Sequence, residues 1–106
     1  MKIGIIISSN DDETCWNALR YANYCILEKD EVKVFFTGKG VEYQKNSTEK
    51  FNAIEQAKKF LKSGGKILAC GTCTKLREQE SSEMCPIFTM KDMHKIVKES
   101  EKVLTF

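Results

Sequence analysis

Apolar runs alternate with amphipathic stretches along the chain, and this alternation predicts strands that take turns with helices. The first run includes Ile5–Ile7 and has no charged residue inside it, which is typical of a strand buried on both faces of a parallel sheet. Runs of this kind predict five strands, at Lys2–Ser8, Glu31–Phe36, Lys66–Ala69, Cys85–Phe88 and Lys102–Phe106.

Between the predicted strands, apolar residues recur every three or four positions, as they do on one face of a helix. The first helix is expected to begin at Asn10 or Asp11, which are favourable N-cap residues, and to run to about Glu28. Further helices are predicted from Ser47 or Thr48 to about Lys62, from Thr74 to Glu80, and from the cap residue Thr89 to about Glu99. Thr37–Val41 is predicted to turn, and Glu42–Ser47 to form a polar, mobile connection.

This order predicts a single α/β domain over residues 1–106, with a three-layer α/β/α sandwich. The sheet is expected to be mainly parallel and five-stranded, with a flavodoxin-like layout and right-handed crossovers. In such sheets, ligands and chemistry collect at the edge formed by the carboxyl ends of the strands. That edge is expected to gather Asn10, Asp11, Cys15, Cys70, Cys73 and Arg77. Cys85 begins its strand and is expected near the opposite edge, unless the preceding loop crosses over.

Composition narrows the class of protein. Hydrophobic residues make up 42% and charged residues 30% of the chain, an ordinary globular balance. Seventeen Lys and Arg face 15 Asp and Glu with no concentrated basic stripe, which argues against nucleic-acid binding. The N-terminal apolar run is too short for a signal peptide, and no segment reaches membrane-spanning length. We therefore expect a cytoplasmic protein with neither a nucleic-acid nor a membrane partner.

Two thiols three residues apart, Cys70 and Cys73, stand where the third predicted strand gives way to a helix. Thiolate is the reactive form of cysteine, and a helix N-terminus or a neighbouring cation lowers the pKa of a thiol. Arg77 follows Cys73 by about one helical turn, and Lys75 is also near in sequence. In a reducing compartment, the five cysteines are more typical of catalytic, redox or metal-binding roles than of disulfides.

The cysteines leave other interpretations open. Cys70 and Cys73 are also compatible with two small hydrophobic residues at a buried strand end. Cys25 is expected in the core, whereas Cys15 fits either a core position or the site. The ligand types of a metal or cluster site are present in Cys70, Cys73, Cys85 and His94. This pattern is weaker than a double CxxC, because its second half is one Cys and a distant His.

Four stretches, in this order, are similar to one known family. They are the N-terminal strand with Ala18–Ala22, then Val32–Val41, Ala69–Arg77, and Thr89–Met93 with the ending Lys102–Phe106. Together they resemble the DsrE/DsrF-like sulfur-relay family, which includes the TusD-type sulfur carriers. One departure is Glu78, which stands where the family often has Gly, and this departure predicts a continued helix instead of a turn.

The resemblance implies a doubly wound fold, homo-oligomers such as trimers or hexamers, and sulfur held as a cysteine persulfide. In sulfur-carrying members a cysteine at the end of the central strand holds the sulfur, and Cys70 matches that position. We predict a sulfur carrier or sulfurtransferase that needs no cofactor or metal and meets sulfur donor and acceptor proteins. Its catalytic residues would be Cys70, Cys73 and Arg77. Candidates for binding the substrate are Asn10, Asp11, Cys15, Gly38, Gly71 and Thr72. The alternatives are a non-catalytic oligomeric binding module with incidental cysteines and a Cys/His metal-binding domain.

Overall fold

Five parallel strands form the one sheet of this protein, whose computed structural model describes all 106 residues. The strands are β1 (Lys2–Ile7), β2 (Glu31–Phe36), β3 (Lys66–Cys70), β4 (Ile87–Phe88) and β5 (Lys102–Thr105). Their order across the sheet is β4-β3-β2-β1-β5, and each neighbouring pair runs parallel. The predicted α/β fold with a five-stranded parallel sheet is therefore confirmed.

The helices cover both faces of the sheet. They are α1 (Asp12–Leu27), a 3-10 helix (Gly38–Glu42), α2 (Tyr43–Asn46), α3 (Ala53–Lys62), α4 (Gly71–Leu76) and α5 (Met90–Glu99). The chain crosses the sheet in one direction from β1 to β4 and then returns beyond β1 to β5. Right-handed crossovers consequently place α1 and α3 on one face and α5 on the other. No helix in the structure is both long enough and apolar enough to cross a membrane.

The strand order differs in one respect from a flavodoxin-like sheet. Such sheets place their second strand at the edge beside β1, whereas here that position belongs to the last strand, β5. The central strand is β2, so β3 is not central but lies next to the short edge strand β4. The cysteine at the end of β3 is thus one strand away from the middle of the sheet.

Helices α1 and α5 begin where their caps predict. The Asp11 carboxylate accepts a hydrogen bond from the Thr14 backbone N–H at 3.0 Å, which satisfies one of the free donors at the start of α1. At α5, the Thr89 side chain and Asp92 form a reciprocal capping box. Both boundaries agree with the sequence because these caps depend only on neighbours within one turn.

The predicted start of α3 at Ser47 or Thr48 is wrong, because local hydrogen bonds favour a turn there. The Thr48 hydroxyl accepts from the Phe51 backbone N–H at 3.1 Å, and this side-chain contact competes with helix formation. Asn52 then caps the helix by accepting from the Glu55 N–H at 3.0 Å. The first helical residue is Ala53.

The prediction that the helix after the cysteine pair runs from Thr74 to Glu80 is also wrong. This helix, α4, begins at Gly71, directly after Cys70, and ends at Leu76. Glu78 has a φ of 53°, in the left-handed region that terminates helices and that glycine adopts most readily. The chain therefore turns at Glu78, as it would with the glycine that the family often has there, and it leaves the site at this point.

Glu42–Ser47, predicted as an irregular mobile connection, is largely helical and anchored to the core. Tyr43 is 1% exposed, stacks on Phe36 with ring centroids 4.1 Å apart, and donates its hydroxyl hydrogen to the Met84 carbonyl. Gly40 lies so close to β1 that a Cβ there would stand 2.1 Å from the Ile7 carbonyl oxygen. These contacts hold the 3-10 helix over the carboxyl ends of the strands.

Candidate functional site

The two cysteines of the CxxC pair lie where β3 passes into α4. Cys70 is the last residue of β3 and the N-cap residue of α4, with extended backbone at φ −65° and ψ 116°. It is 3% exposed and packs with Phe35 and Ile96, whereas Cys73, in the first turn of α4, is partly exposed. The Thr74 hydroxyl donates to the Cys70 carbonyl at 2.8 Å and fixes the turn between the thiols.

The sulfur of Cys73 is surrounded by hydrogen-bonding groups from the end of β2. The Gly38 backbone N–H donates to Cys73 Sγ at 3.2 Å, and Thr37 Oγ1 lies 3.9 Å from the same sulfur. Gly38 has a φ of 55°, which a residue without Cβ adopts at little cost, and this conformation belongs to the turn that presents its N–H. Cys73 also packs against the small cluster formed by Phe35, Cys70 and Ile96.

This environment holds the pKa of Cys73 below the ordinary value of a cysteine thiol. Partial burial is the largest single influence and acts to raise the pKa, but the other groups outweigh it. They are the hydrogen bonds with Cys70, Gly38 and Thr37 and the positive charge of Arg77. Because the thiolate is the nucleophile, a lowered pKa increases the reactive fraction of Cys73 at neutral pH.

Arg77 is held beside Cys73 by a chain of polar contacts. Its Nη1 donates to the Cys73 carbonyl oxygen at 3.1 Å, and its Nε pairs with Glu42 Oε2 at 2.5 Å. Asn10 Nδ2 donates to the other oxygen of Glu42 at 3.0 Å, and the Asn46 side chain donates to the Asn10 carbonyl. These contacts keep the pKa of Glu42 below its usual range, chiefly through the hydrogen bonds from Asn10 and Arg77, so the ion pair persists at neutral pH.

Most of the residues predicted at the sheet edge do meet there. Asn10, Gly38, Cys73 and Arg77 belong to one group linked by hydrogen bonds through Glu42, and Cys70 lies beside Cys73 as the N-cap residue of the same helix. Gly71 and Thr72 instead line a separate groove of about 820 Å³ on the Cys70 side of the turn. This groove also includes Lys75, Ile87, Phe88 and Met90. The two thiols therefore adjoin different surfaces of the same turn.

Two of the predicted binding residues take other positions. Asp11 bonds to Thr14 and serves as the cap of α1. Cys15 is 1% exposed and donates its thiol hydrogen to the Ser9 carbonyl at 3.1 Å. Burial, together with the negative charges of Asp11 and Asp12, raises the pKa of Cys15 to about 11, so its thiol stays neutral. Cys15 is thus a core residue here, as Cys25 also is.

The four candidate ligands of the metal interpretation, Cys70, Cys73, Cys85 and His94, are not brought together. No group of three or more His, Cys, Asp and Glu side chains converges in a metal-binding arrangement. His94 is exposed on α5. Cys85 is buried in the main core, and its sulfur lies 4.0 Å from the Val41 carbonyl. It reaches this position because β4 is only two residues long and the loop before β4 crosses over the end of the sheet.

Sequence reasoning missed Thr37 and Glu42 as parts of this site. Thr37 directly follows β2, so the rule that sites collect at strand ends would have found it. Glu42 carried no such signal, because it lies in a polar stretch whose path depends on Tyr43 packing into the core. Only the fold brings its carboxylate to Arg77, which is 35 residues away in sequence.

The fold and the site together define a class: a small doubly wound α/β protein with a cysteine pair at the carboxyl edge of a parallel sheet. The chain belongs to the DsrE/DsrF-like family, whose model matches residues 1–106. It is 34% identical over 114 residues to an uncharacterized protein of Methanocaldococcus jannaschii, covering 100% of both chains. It is 35% identical over 100 residues to an uncharacterized protein of Methanopyrus kandleri, covering 89% of this chain and 83% of the relative.

A solved structure supports the same fold. The crystal structure of the YchN protein from E. coli superimposes with a TM-score of 0.83 over 100% of both chains. The two sequences are 20% identical, so this likeness concerns the architecture alone. The expected membership in the DsrE/DsrF-like family is therefore confirmed, and the chemistry has to be argued from the residues.

Proposed function

We propose that this protein carries sulfur as a cysteine persulfide and that Cys73 is the thiolate that accepts it. The observation that supports this most directly is the environment of Cys73 Sγ. A backbone N–H lies 3.2 Å away and the Arg77 guanidinium binds the carbonyl of the same residue. Membership in a family associated with sulfur relay makes persulfide chemistry the reaction that best uses such a thiolate.

The accepting step is an exchange at sulfur. The Cys73 thiolate attacks the terminal sulfur of a polysulfide or persulfide donor and forms a new S–S bond while the donor's own S–S bond breaks. A persulfide donor leaves as a thiolate, and a polysulfide leaves as a polysulfide anion shorter by one sulfur atom. The product is a persulfide on Cys73, a reversible state of cysteine. Gly38 N–H and Arg77 stabilise the attacking anion before the bond forms.

The family resemblance assigns the sulfur to Cys70, and this assignment stays a prediction alongside the assignment to Cys73. The two differ in a measurable way. Reduced protein mixed with inorganic polysulfide, quenched rapidly with an alkylating reagent and digested, should carry the added sulfur on Cys73 in tandem mass spectrometry. Sulfur found only on Cys70 would reverse the roles. Absence of both added sulfur and a newly formed Cys70–Cys73 disulfide would contradict the proposed function.

We place this reaction in the cytoplasm, with sulfur donor and acceptor proteins as partners. The support is chemical, since a thiol has to be reduced to accept sulfur and the cytoplasm keeps thiols reduced. The groove of about 820 Å³ beside Cys70 has an apolar lining that includes Ile87, Phe88 and Met90. Such a groove suits contact with a partner's polypeptide beside the reactive turn.

We further propose that the protein is a homo-oligomer, as the resemblance implies. One face of the sheet is covered by α5 alone. On that helix, Val97 is 44% exposed. Met90, the first residue of the same helix, is 56% exposed, and Ile87 on the edge strand β4 is 49% exposed. Light scattering of the wild-type protein should give a mass of at least twice 12.1 kDa. The Val97→Glu substitution should shift that mass towards 12.1 kDa. A wild-type mass of 12.1 kDa would contradict this proposal.

The charge of Arg77 is expected to set the pH dependence of Cys73. Arg77→Gln removes a positive charge near the sulfur and leaves the Glu42 carboxylate unpaired, and both changes disfavour the thiolate. The pH midpoint of Cys73 alkylation should therefore move upward, and the alkylation rate at pH 7 should fall by roughly threefold or more. The measurement is the rate of iodoacetamide labelling against pH, with tandem mass spectrometry to identify the labelled residue.

Arg77→Lys is the matched control, because it keeps the charge but loses the planar fork that binds Glu42 and the Cys73 carbonyl together. Its midpoint should lie between those of the wild type and Arg77→Gln. Identical pH profiles for all three proteins would show that Arg77 does not tune Cys73.

A further inference from the structure

The cysteine pair has an arrangement in which one thiol faces outward and the other inward. Cys73 is partly exposed and can meet a sulfur donor, whereas Cys70 is 3% exposed and packs against Phe35 and Ile96. A donor molecule in solution therefore reaches Cys73 first. Cys70 contributes to the lining of the groove of about 820 Å³ but exposes only 3% of its surface, so it is less accessible to external donors than Cys73.

Cys70 can reach the sulfur of Cys73 because it stands outside the regular helix. Its backbone is extended, at φ −65° and ψ 116°, and Cys73 lies in the first turn that follows. Cys73 also packs against the small cluster that contains Cys70, so the two side chains share one environment at the start of α4. A Cys-x-x-Cys pair spanning the start of a helix is a spacing used for dithiol–disulfide exchange.

We propose, resting on persulfide formation at Cys73, that Cys70 acts as a resolving thiol that releases the bound sulfur as hydrosulfide. Cys70 Sγ attacks Cys73 Sγ and forms the Cys70–Cys73 disulfide, while the bond between Cys73 Sγ and the outer sulfur breaks. The outer sulfur leaves with the electron pair of that bond, takes the proton of the Cys70 thiol, and departs as HS⁻. Cys70 is oxidised and the carried sulfur is reduced, so the electrons balance.

This step gives the protein a second product, free sulfide, besides the persulfide passed to an acceptor. Without Cys70 the persulfide waits for an acceptor thiol, whereas with Cys70 it is converted to free sulfide in the absence of an acceptor. The resulting disulfide must be reopened by a dithiol reductant before the next cycle. The inferred activity is therefore a dithiol-dependent release of sulfide from sulfane sulfur.

The test compares reduced wild-type protein with Cys70→Ser after mixing with one equivalent of inorganic polysulfide and no added thiol. Wild-type protein should release about one HS⁻ per chain and lose two alkylatable thiols to a Cys70–Cys73 disulfide. Cys70→Ser should take up sulfur on Cys73 but retain it, with hydrosulfide release slowed by about tenfold or more. Repeated turnover should appear only when dithiothreitol is supplied.

Cys25→Ser is the matched control, since Cys25 is a buried core cysteine whose neighbour Tyr21 can hydrogen-bond to the new hydroxyl. It should behave as the wild type does. Release at the wild-type rate from Cys70→Ser, or persistent persulfide without a disulfide in the wild type, would overturn the resolving role alone. Absence of sulfur uptake by wild-type protein would instead overturn the proposed function. The disulfide is measured in the wild-type protein, so this part of the test does not depend on the folding of a variant.

Discussion

Cys73→Ser is expected to lower the initial rate of persulfide formation by about tenfold or more. Serine keeps the size of the side chain and can still receive the hydrogen bond from the Gly38 N–H, but its hydroxyl stays protonated and does not attack sulfur. The fold should remain, because Cys73 is partly exposed and lies at the margin of the core. The measurement is rapid-quench alkylation followed by mass spectrometry of the whole protein.

The comparison with Cys70→Ser makes this result specific. Cys70→Ser should take up sulfur at close to the wild-type rate, because the exposed thiolate at Cys73 is intact. If instead Cys70→Ser loses uptake and Cys73→Ser retains it, Cys70 carries the sulfur as the family resemblance implies. If both variants take up sulfur fully, the cysteine pair is incidental and the protein is better described as a binding module.

Gly40→Ala is expected to lower the free energy of unfolding by about 3 kcal/mol. The added Cβ would stand 2.1 Å from the Ile7 carbonyl oxygen and 2.9 Å from the Ile7 carbonyl carbon, so either β1 or the 3-10 helix must move. These are backbone atoms of a buried strand, and they cannot rotate aside as the end of a flexible side chain would. Urea denaturation followed by circular dichroism measures the loss.

The same substitution should also weaken the site. The 3-10 helix that contains Gly40 begins at Gly38, whose N–H donates to Cys73 Sγ at 3.2 Å. Displacing this segment lengthens that hydrogen bond, and the pH midpoint of Cys73 alkylation should move upward. Gly38→Ala is the control for stability, because its Cβ meets nothing within 4 Å and costs only the strain of a φ of 55°, about 1 kcal/mol. Equal stability losses at the two glycines would contradict the steric explanation.

Much of the fold could be read from local patterns. The apolar runs predict four of the five strands to within a residue or so, since a strand buried on both faces requires continuous apolar residues. The caps Asp11 and Thr89 mark the starts of α1 and α5 because capping involves only the next turn of the chain. The remaining strand, β4, is shorter than predicted. It begins at Ile87 because Cys85 turns into the core before it.

Local patterns failed where a side chain or backbone group met a distant partner. The path of Glu42–Ser47 is set by the stacking of Tyr43 on Phe36 and by its hydrogen bond to the Met84 carbonyl. From the sequence, Cys15 fits either the core or the site, whereas packing in the folded protein buries it. Neither outcome is visible in spacing alone, because each depends on which elements lie next to each other in the sheet.

The sequence by itself determined the alternation of strands and helices, the family resemblance, and a cysteine pair at the end of β3. These features depend on the order of residues along the chain and on interactions within a turn or two. Only the tertiary structure decided how the pair is differentiated. It buries Cys70 among Phe35 and Ile96 and surrounds Cys73 with Gly38 and Arg77, which Glu42 holds in place. The physical reason is that a thiol's exposure and pKa are set by surrounding groups from separate parts of the chain, which meet only when the parallel strands align their carboxyl ends.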